Sequence, residues 1–317
     1  MAKATVFIDG ESGTTGLGIR DRLAALPDVE VRSIAPERRR DPGARRELMA
    51  EVDLVVLCLP DDAAKESAGL AESLGNAAPK VLDASTAHRV DPDWVYGFPE
   101  MLPGQAERIA QAKRVANPGC YPTGAIGLIR PLVDAGLIPP DYPVTINAVS
   151  GYSGGGKAMI QAHETAGGPA FELYGLKLEH KHVPETRLYG GLTRRPIFVP
   201  SVAHCRQGMI VSIPLHLDTL PGRPRAADLQ AALEVRYAGC DLVRVLPAPP
   251  DGKLEAEALN DTDRLELYVM ANEAQRHAIL VARLDNLGKG ASGAAVQNIG
   301  LMLGLQAGVG RRETVDA

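Results

Sequence analysis

Residues 115–127 read VANPGCYPTGAIG and set one thiol, Cys120, between a Pro-Gly pair and a second proline. Val115 and Ala116 read as a short strand and Asn117-Pro118-Gly119 as a turn. Pro122 suits a first helical turn, because it has no N–H to leave unpaired there. This reading puts Cys120 at a helix N-terminus. A free thiol, with a pKa of about 8.5, is only a few per cent ionised at neutral pH, and a helix N-terminus or a nearby cation lowers that value. The thiolate is the nucleophilic form. Gly124, Gly127 and Pro131 weaken the helix that follows, which suggests selection at its start for something other than helix stability. An inert, buried cysteine is the competing reading.

A thiolate that works on a carbonyl also needs a group to handle protons. The segment ELYGLKLEHKHVPETRLYG supplies His180 and His182 at alternate positions, then Pro184 and Glu185 as a helix start, with Tyr174 just upstream. Histidine exchanges protons near neutral pH, and such a group is commonly worth about 10² to 10⁴ in rate. Glu185 can orient it. His180, His182, His204 and Cys205 could instead hold zinc, but their spacing matches no common site, and no metal is expected. His88, His163, His216 and His277 read as ordinary hydrogen-bonded or surface residues.

A glycine loop points to a second kind of chemistry. Residues 4–9 form a short apolar strand that ends in GESGTTG, and residues 17–26 then show helical spacing. Gly10, Gly13 and Gly16 follow a GxxGxxG spacing that lets the loop, with Ser12, Thr14 and Thr15, bring N–H groups against a pyrophosphate. Further strands over 29–34, 54–59 and 81–82, with helical segments between them, give the alternation of a parallel sheet. Pro60 and Ser85 follow the third and fourth of these strands. Ser85, Thr86 and Arg89 in DASTAHR therefore lie at the carboxyl edge of the sheet, where such folds bind ligands. The second strand is followed by Ser33 and by Arg38, Arg39 and Arg40, where an NAD site usually carries an acidic residue. Cations there favour a 2′-phosphate, hence NADP(H). A structural glycine turn and a solvated arginine face are the competing readings.

The chain as a whole must position these groups. Its 317 residues, 45% hydrophobic, are long for one domain, so two are expected. A formal net charge of −5 argues against nucleic acid or anionic lipid as a partner. The opening MAKATVFIDG has too short an apolar run for a signal or a membrane span, and a cytoplasmic protein is expected. Cys58, Cys120, Cys205 and Cys240 show no paired spacing and read as free thiols. Cys58, in DLVVLCLP, reads as a small hydrophobe. From Val144 onward the pattern changes. Residues 209–217, 265–271 and 278–284 read as strands of a second domain, with a helix over 226–237. After the glycine-rich GKGASG, residues 294–305 read as a small-residue helix able to pack closely on the first domain.

Taken together, GESGTTG, NPGCYPT, SGYSGGGK, EHKHVPE and DNLGKGASGAAVQN run in an order that resembles the N-acetyl-γ-glutamyl-phosphate reductases, in the short form of that arginine-biosynthesis enzyme. The resemblance spans nearly the whole chain. It implies an α/β protein with a Rossmann-type dinucleotide-binding domain plus an inserted α+β catalytic domain whose sheet is mostly antiparallel, as in the aspartate-semialdehyde and glyceraldehyde-phosphate dehydrogenases. The boundaries expected are 1–118 for NADP binding, 119–285 for catalysis and oligomerisation, and 286–317 for a C-terminal helix returning to the first domain. Cys120 would be the nucleophile and His180 the acid and base. Arg89, Asn117, Ser150, Lys157, Tyr174, His182 and Glu185 would meet the substrate, an acyl phosphate. Asn286 and Lys289 would join Gly10, Ser12, Gly13, Thr14, Thr15, Gly16, Ser33, Arg38, Pro60 and Ser85 around NADP(H). Arg89, Lys157 and the N–H groups of 153–156 suit phosphate or the α-carboxylate, and Asn117 suits the developing oxyanion. Relatives suggest a homotetramer or homodimer. Longer relatives carry a PHL-type stretch where this chain has VPSVAHCRQGM, which leaves the roles of His204 and Cys205 open. An aspartate-semialdehyde-type dehydrogenase, a thiol hydrolase and a non-catalytic NADP(H) sensor are the alternatives.

Overall fold

The computed structural model describes residues 3–305. These pack into two compact units, one from residues within 1–99, 103–118 and 291–317, the other from 100–102 and 119–290.

The first unit is built on β1 (Ala4–Asp9), β2 (Val29–Arg32), β3 (Leu54–Leu57), β4 (Lys80–Asp83), β5 (Val95–Tyr96) and β6 (Arg114–Ala116). They pair in the order β2-β1-β3-β4-β6-β5, and every neighbouring pair is parallel. Parallel sheets survive only with both faces covered, and the strands obey this: all four residues of β3, Leu-Val-Val-Leu, are buried. Val6, Ile8, Leu54 and Val56 face one way, onto Ile19 and Leu23 of α1 (Thr14–Ala24) and onto Val296 and Ile299 of the helix 293–303. Phe7, Val55 and Leu57 face the other way, onto Met49 of α2 (Pro42–Met49) and Ala64 and Ala71 of α3 (Asp61–Glu72). The helix α4 (Gln105–Gln111) adds Ile109 to the first of these layers. Each large apolar side chain so buried contributes about 1.5–3 kcal/mol. The crossovers from β1 and β3 run to opposite sides, so the ends of β1 and β3 form the switch point at which such sheets take ligands.

The second unit starts with α5 (Cys120–Asp134) and continues through β7 (Thr145–Gly151), α6 (Gly156–Ala166), β8 (Phe171–Leu173), α7 (Val183–Tyr189), β9 (Ile197–Ala203), β10 (Met209–His216), α8 (Ala226–Tyr237), β11 (Val243–Leu246), β12 (Leu265–Asn272) and β13 (His277–Leu284). The strands order as β11-β12-β13-β10-β7-β9-β8, with two parallel pairs, β11-β12 and β7-β9, in an otherwise antiparallel sheet. Strand β10 alternates as a half-buried strand should: Met209, Val211, Ile213 and Leu215 are buried. Helix α5 packs on β10 and β13 at close range. A Cβ on Gly124 would lie 2.9 Å from Val211 Cγ2 and 3.2 Å from Ala282 Cβ, so this glycine has a packing reason of its own. The second unit runs on through Gly290 and takes in residues 100–102. Lys289 Nζ closes a buried ion pair with Glu100 at 2.7 Å, which explains both extensions.

The last helix, α9 (Gly293–Leu303), belongs to the first unit, and its side-chain amide at Asn298 donates to Gly97 O at 2.8 Å. Residues 306–317 of the expected C-terminal segment lie outside the described residues. No helix among the described residues is long and apolar enough to cross a membrane.

Candidate active site

Cys120 is the first residue of α5, and Gly119 before it is extended at φ −74° and ψ 154°. The head of this helix is anchored from α7: the Gly119 N–H donates to Glu185 Oε2 at 3.1 Å. Glu185 therefore steadies the residue next to the thiol. Space beside the cysteine is tight. A Cβ on Gly290 would stand 2.9 Å from Cys120 Cβ, so residue 290 is a glycine for packing.

Cys120, Tyr121, Ser150, Tyr174, His180 and His182 line one cavity of about 190 Å³, with Gly154, Gly155 and Met159 on its other side. Five of these six were expected from sequence. The sixth, Tyr121, links the rest: its hydroxyl donates to Ser201 O at 3.0 Å and accepts from the Tyr174 hydroxyl at 3.2 Å. Burial pushes the Tyr121 phenol well above its ordinary range and Tyr174 up to about 12, so both phenols are neutral at working pH. Ser150 Oγ donates to Gly151 O at 3.0 Å.

His180 sits among rings. Its centroid lies 6.1 Å from Tyr121, 5.7 Å from Tyr174, 4.8 Å from His182 and 5.1 Å from Phe198 of β9, each ring edge-on. Burial, and secondarily the neighbouring charge of Lys181, push its pKa down to about 4. Lys157, expected at the substrate, is exposed on α6 and does not line the cavity, though Gly155 and Met159, two residues to either side, do.

The first unit has a separate cavity of about 380 Å³ at the ends of β1 and β3, lined by residues of the 7–12 segment, Leu59, and Arg39 and Arg40. Its loop demands glycine twice. Gly10 has φ +89°, and a Cβ there would fall 2.3 Å from Cys58 O; one on Gly16 would fall 2.7 Å from Gly10 O. Gly13 caps α1, and the Thr14 hydroxyl of its first turn is buried with no partner. A helix start of this kind, with an unmet hydroxyl and two flanking arginines, fits a dinucleotide phosphate. Ser12, in the same loop, lines the cavity, Thr15 lies in the first turn of α1, and Pro60 caps α3.

The arginine run divides differently from the sequence reading. Arg38 turns to Asp41 and Glu47, at 3.2 and 3.6 Å, while Arg39 and Arg40 face the cavity. Arg39 pairs with Glu11 at 2.6 Å, and Ser33 Oγ and Arg20 also reach Glu11, at 2.8 and 2.9 Å. Neither Glu11 nor this clamp was anticipated. Beneath it, Asp9 receives Arg45 and the Ser67 hydroxyl, both at 2.6 Å.

Five further expected residues have side chains engaged within the protein. Lys289 is buried against Glu100, and Asn286 takes the Gly208 N–H at 2.8 Å and donates to Ser153 Oγ at 2.9 Å. Both sets of contacts lie within the second unit, so neither side chain is presented by the dinucleotide unit. Asn117 is buried with its amide engaged at both ends, donating to Ala291 O at 3.1 Å and accepting from Asn298 at 3.0 Å. That use replaces the expected oxyanion contact. Ser85 Oγ donates to the buried Asp83, which also holds His88 Nδ1 at 2.6 Å. Arg89 is buried in the same loop, with Nε donating to Asn117 O at 2.9 Å.

His204 pairs with His163, Nδ1 to Nδ1 at 2.9 Å, with Tyr152 stacked on His163. Among the described residues, no three His, Cys, Asp or Glu side chains gather to hold a metal ion. None of the four cysteines is in a disulfide; burial pushes Cys58 up to about 12 and raises Cys205 and Cys240.

Comparison with known proteins places this geometry. Residues 120–286 match the family model for the semialdehyde dehydrogenase dimerisation domain, and residues 40–112 match that for the semialdehyde dehydrogenase NAD binding domain. The N-acetyl-gamma-glutamyl-phosphate reductases of Brucella ovis and Brucella canis are each 55% identical over 310 residues, covering 95% of this chain and 99% of theirs. The chain belongs to the N-acetyl-γ-glutamyl-phosphate reductase family. Among solved structures, aspartate semialdehyde dehydrogenase II of Vibrio cholerae, in complex with ASA, superposes on this reductase-family chain with a TM-score of 0.70 at 18% identity, covering 96% of this chain and all of that one. The Candida albicans aspartate semialdehyde dehydrogenase with NADP gives 0.64 at 15%, covering 95% and 99%. At such identities the likeness is one of fold, and the fold is that expected from sequence.

Proposed function

We propose that this chain catalyses the NADPH-dependent reduction of N-acetyl-γ-glutamyl phosphate to N-acetylglutamate semialdehyde and phosphate, a step of arginine biosynthesis, through a thioester on Cys120. Membership in the reductase family makes it an oxidoreductase of the semialdehyde dehydrogenase type. The observation that carries the thioester route is the shared cavity, lined by both Cys120, at the head of a 15-residue helix, and His180.

The N–H groups at the start of α5 favour an anion at the sulfur, which attacks the acyl carbon. The bond to phosphate breaks and leaves a thioester, an acyl group that is readily reduced. When bound, the reduced nicotinamide supplies the hydride for that reduction. His180 manages charge and proton at the carbonyl oxygen, and the C–S bond then breaks to free the semialdehyde. Ser150, Tyr174 and His182 are the proposed substrate contacts in the same cavity, with Lys157 as a cation for phosphate or the α-carboxylate. NADP(H) is assigned to the glycine loop of the first unit, with Arg39 and Arg40 meeting the 2′-phosphate.

The proposed setting is the cytoplasm, which suits four cysteines outside any disulfide. The proposed assembly is a homodimer or homotetramer. Phe171 and Leu173 of the edge strand β8, together with Leu176 and Leu178, are exposed apolar side chains whose burial against another copy would offset their contact with water.

The test is steady-state turnover, followed at the NADPH absorbance band, with N-acetylglutamate semialdehyde, NADP⁺ and phosphate, and with aspartate semialdehyde as the control substrate. Cys120→Ser should lose at least about 10³-fold in kcat while binding NADPH as the wild type does. Substantial turnover by that variant would overturn the thioester route, and a preference for aspartate semialdehyde would overturn the substrate.

A further inference from the structure

His180 has two ring nitrogens, and the backbone decides between them. The N–H of His182 donates to His180 Nδ1 at 3.1 Å. An imidazole nitrogen that accepts carries no proton, so in the neutral ring the proton is on Nε2. Moving it to Nδ1 would set two N–H donors against each other at that distance. Adding a second proton there, to make imidazolium, meets the same obstacle. One form remains without conflict: neutral, with Nε2–H.

The surroundings agree. Tyr121, Tyr174, His182 and Phe198 ring the imidazole and take the place of water that would solvate a cation. The titratable and charged groups on the elements around it are few. Lys181 and His182 come from its own segment, and Lys181 opposes a positive ring. From α5 come Cys120 and Tyr121, and from the end of β8 Tyr174, whose phenols are neutral as described. Glu185 of α7 accepts from Gly119 N–H, and Glu179 is paired with Arg195 at 2.8 Å.

We propose that His180 acts as a neutral hydrogen-bond donor through Nε2–H, steadying the oxyanion formed at the carbonyl held by Cys120, and is not the base that ionises the thiol. The inference rests on the thioester reading above and narrows the acid and base role that the motif implies. The bookkeeping of the reaction permits it. Thiolate forms the C–S bond as the C–O bond to phosphate breaks, and that electron pair leaves with phosphate. Hydride from reduced nicotinamide adds to the thioester carbon and sends the π pair to oxygen. That pair re-forms the carbonyl, and the C–S pair returns to sulfur as thiolate. Neither collapse consumes a proton at His180; the proton taken up overall ends on phosphate. A fixed donor aimed at an oxyanion is commonly worth about 10² to 10³ in kcat.

Two measurements decide. In full-length protein labelled with nitrogen-15 at histidine, a two-bond proton–nitrogen correlation spectrum distinguishes the tautomers, with the His180 signals assigned by their loss in His180→Gln. The Nε2–H pattern should persist from about pH 8 to about pH 5; an Nδ1–H pattern, or a midpoint near neutrality, overturns the proposal. In single-turnover NADPH oxidation, His180→Ala should lose about 10² to 10³-fold and His180→Gln, which keeps an N–H donor but cannot be a base, only about tenfold. Equal losses in the two variants overturn it. The spectrum needs no turnover, so a wild type inactive on the acyl phosphate would count against the proposed reaction while leaving the tautomer to be decided by itself.

Discussion

The two cavities of this protein are built on opposite principles. The one in the first unit is made from short stretches of a single βαβ region, 7–12 and 34–40, closed by Leu59, and its wall is charged: Glu11 alone gathers Arg20, Arg39 and Ser33. The one in the second unit draws on α5, β7, the segment before α7 and β9, and around the thiol it presents rings and small residues. A charged ligand can be held by many weak, local ion pairs, because each tolerates some movement. Chemistry at a sulfur needs a dry, fixed setting, and only distant elements packed together provide one.

That contrast can be broken by experiment. The largest effect is expected from the local cavity's backbone: Gly10→Ala forces φ +89° on an alanine and drives its Cβ into Cys58 O. About 3 kcal/mol or more of stability should be lost, read by urea unfolding, together with NADPH binding. An unchanged unfolding midpoint would mean the loop is looser than it looks. Next, Arg39→Ala should raise KM for NADPH about tenfold and leave KM for NADH nearly unchanged, since only a 2′-phosphate needs that cation. Equal effects on both cofactors would instead make Arg39 a brace for Glu11.

The smallest effect is expected from pH, in the other cavity. The His180 pKa is depressed from 6.5 to about 4, so above 6.5 the ring is neutral whether folded or unfolded, and the group makes no pH-dependent contribution. Between those values the unfolded chain binds a proton that the folded one resists. Stability should therefore fall as pH drops through that window and level off below it. His180→Gln should flatten that slope in acid unfolding curves, and an unaltered slope would assign it to other groups.

What could be read in advance follows the same division. The glycines of GESGTTG and the strand-helix alternation were legible because a dinucleotide loop is a local device with few residue choices. That Cys120 begins a helix was legible from its flanking prolines. Phe198 was not, since nothing near it on β9 signals chemistry; it reaches His180 only because β9 pairs with β7. The edge strand β8 escaped notice because it is three residues long and exposed along its whole length. Arg38 was preferred to Arg39 because the turn that re-aims the run, a single helical turn over Pro36–Arg38, has no signature beyond its proline. Asn117, Asn286 and Lys289 look like ligand-facing polar residues in sequence, and only the packed structure shows their bonds already taken up.

Asp9 carries a last consequence. Its buried carboxylate lines the first cavity, where an unpaired charge would repel a molecule bearing several phosphates. With Arg45 and Ser67 holding it, and Glu11 likewise paired with Arg20 and Arg39, two of the three carboxylates lining the cavity meet an incoming polyanion already paired. An acidic chain can thus welcome an acidic guest, because its local negative charge is spent inward.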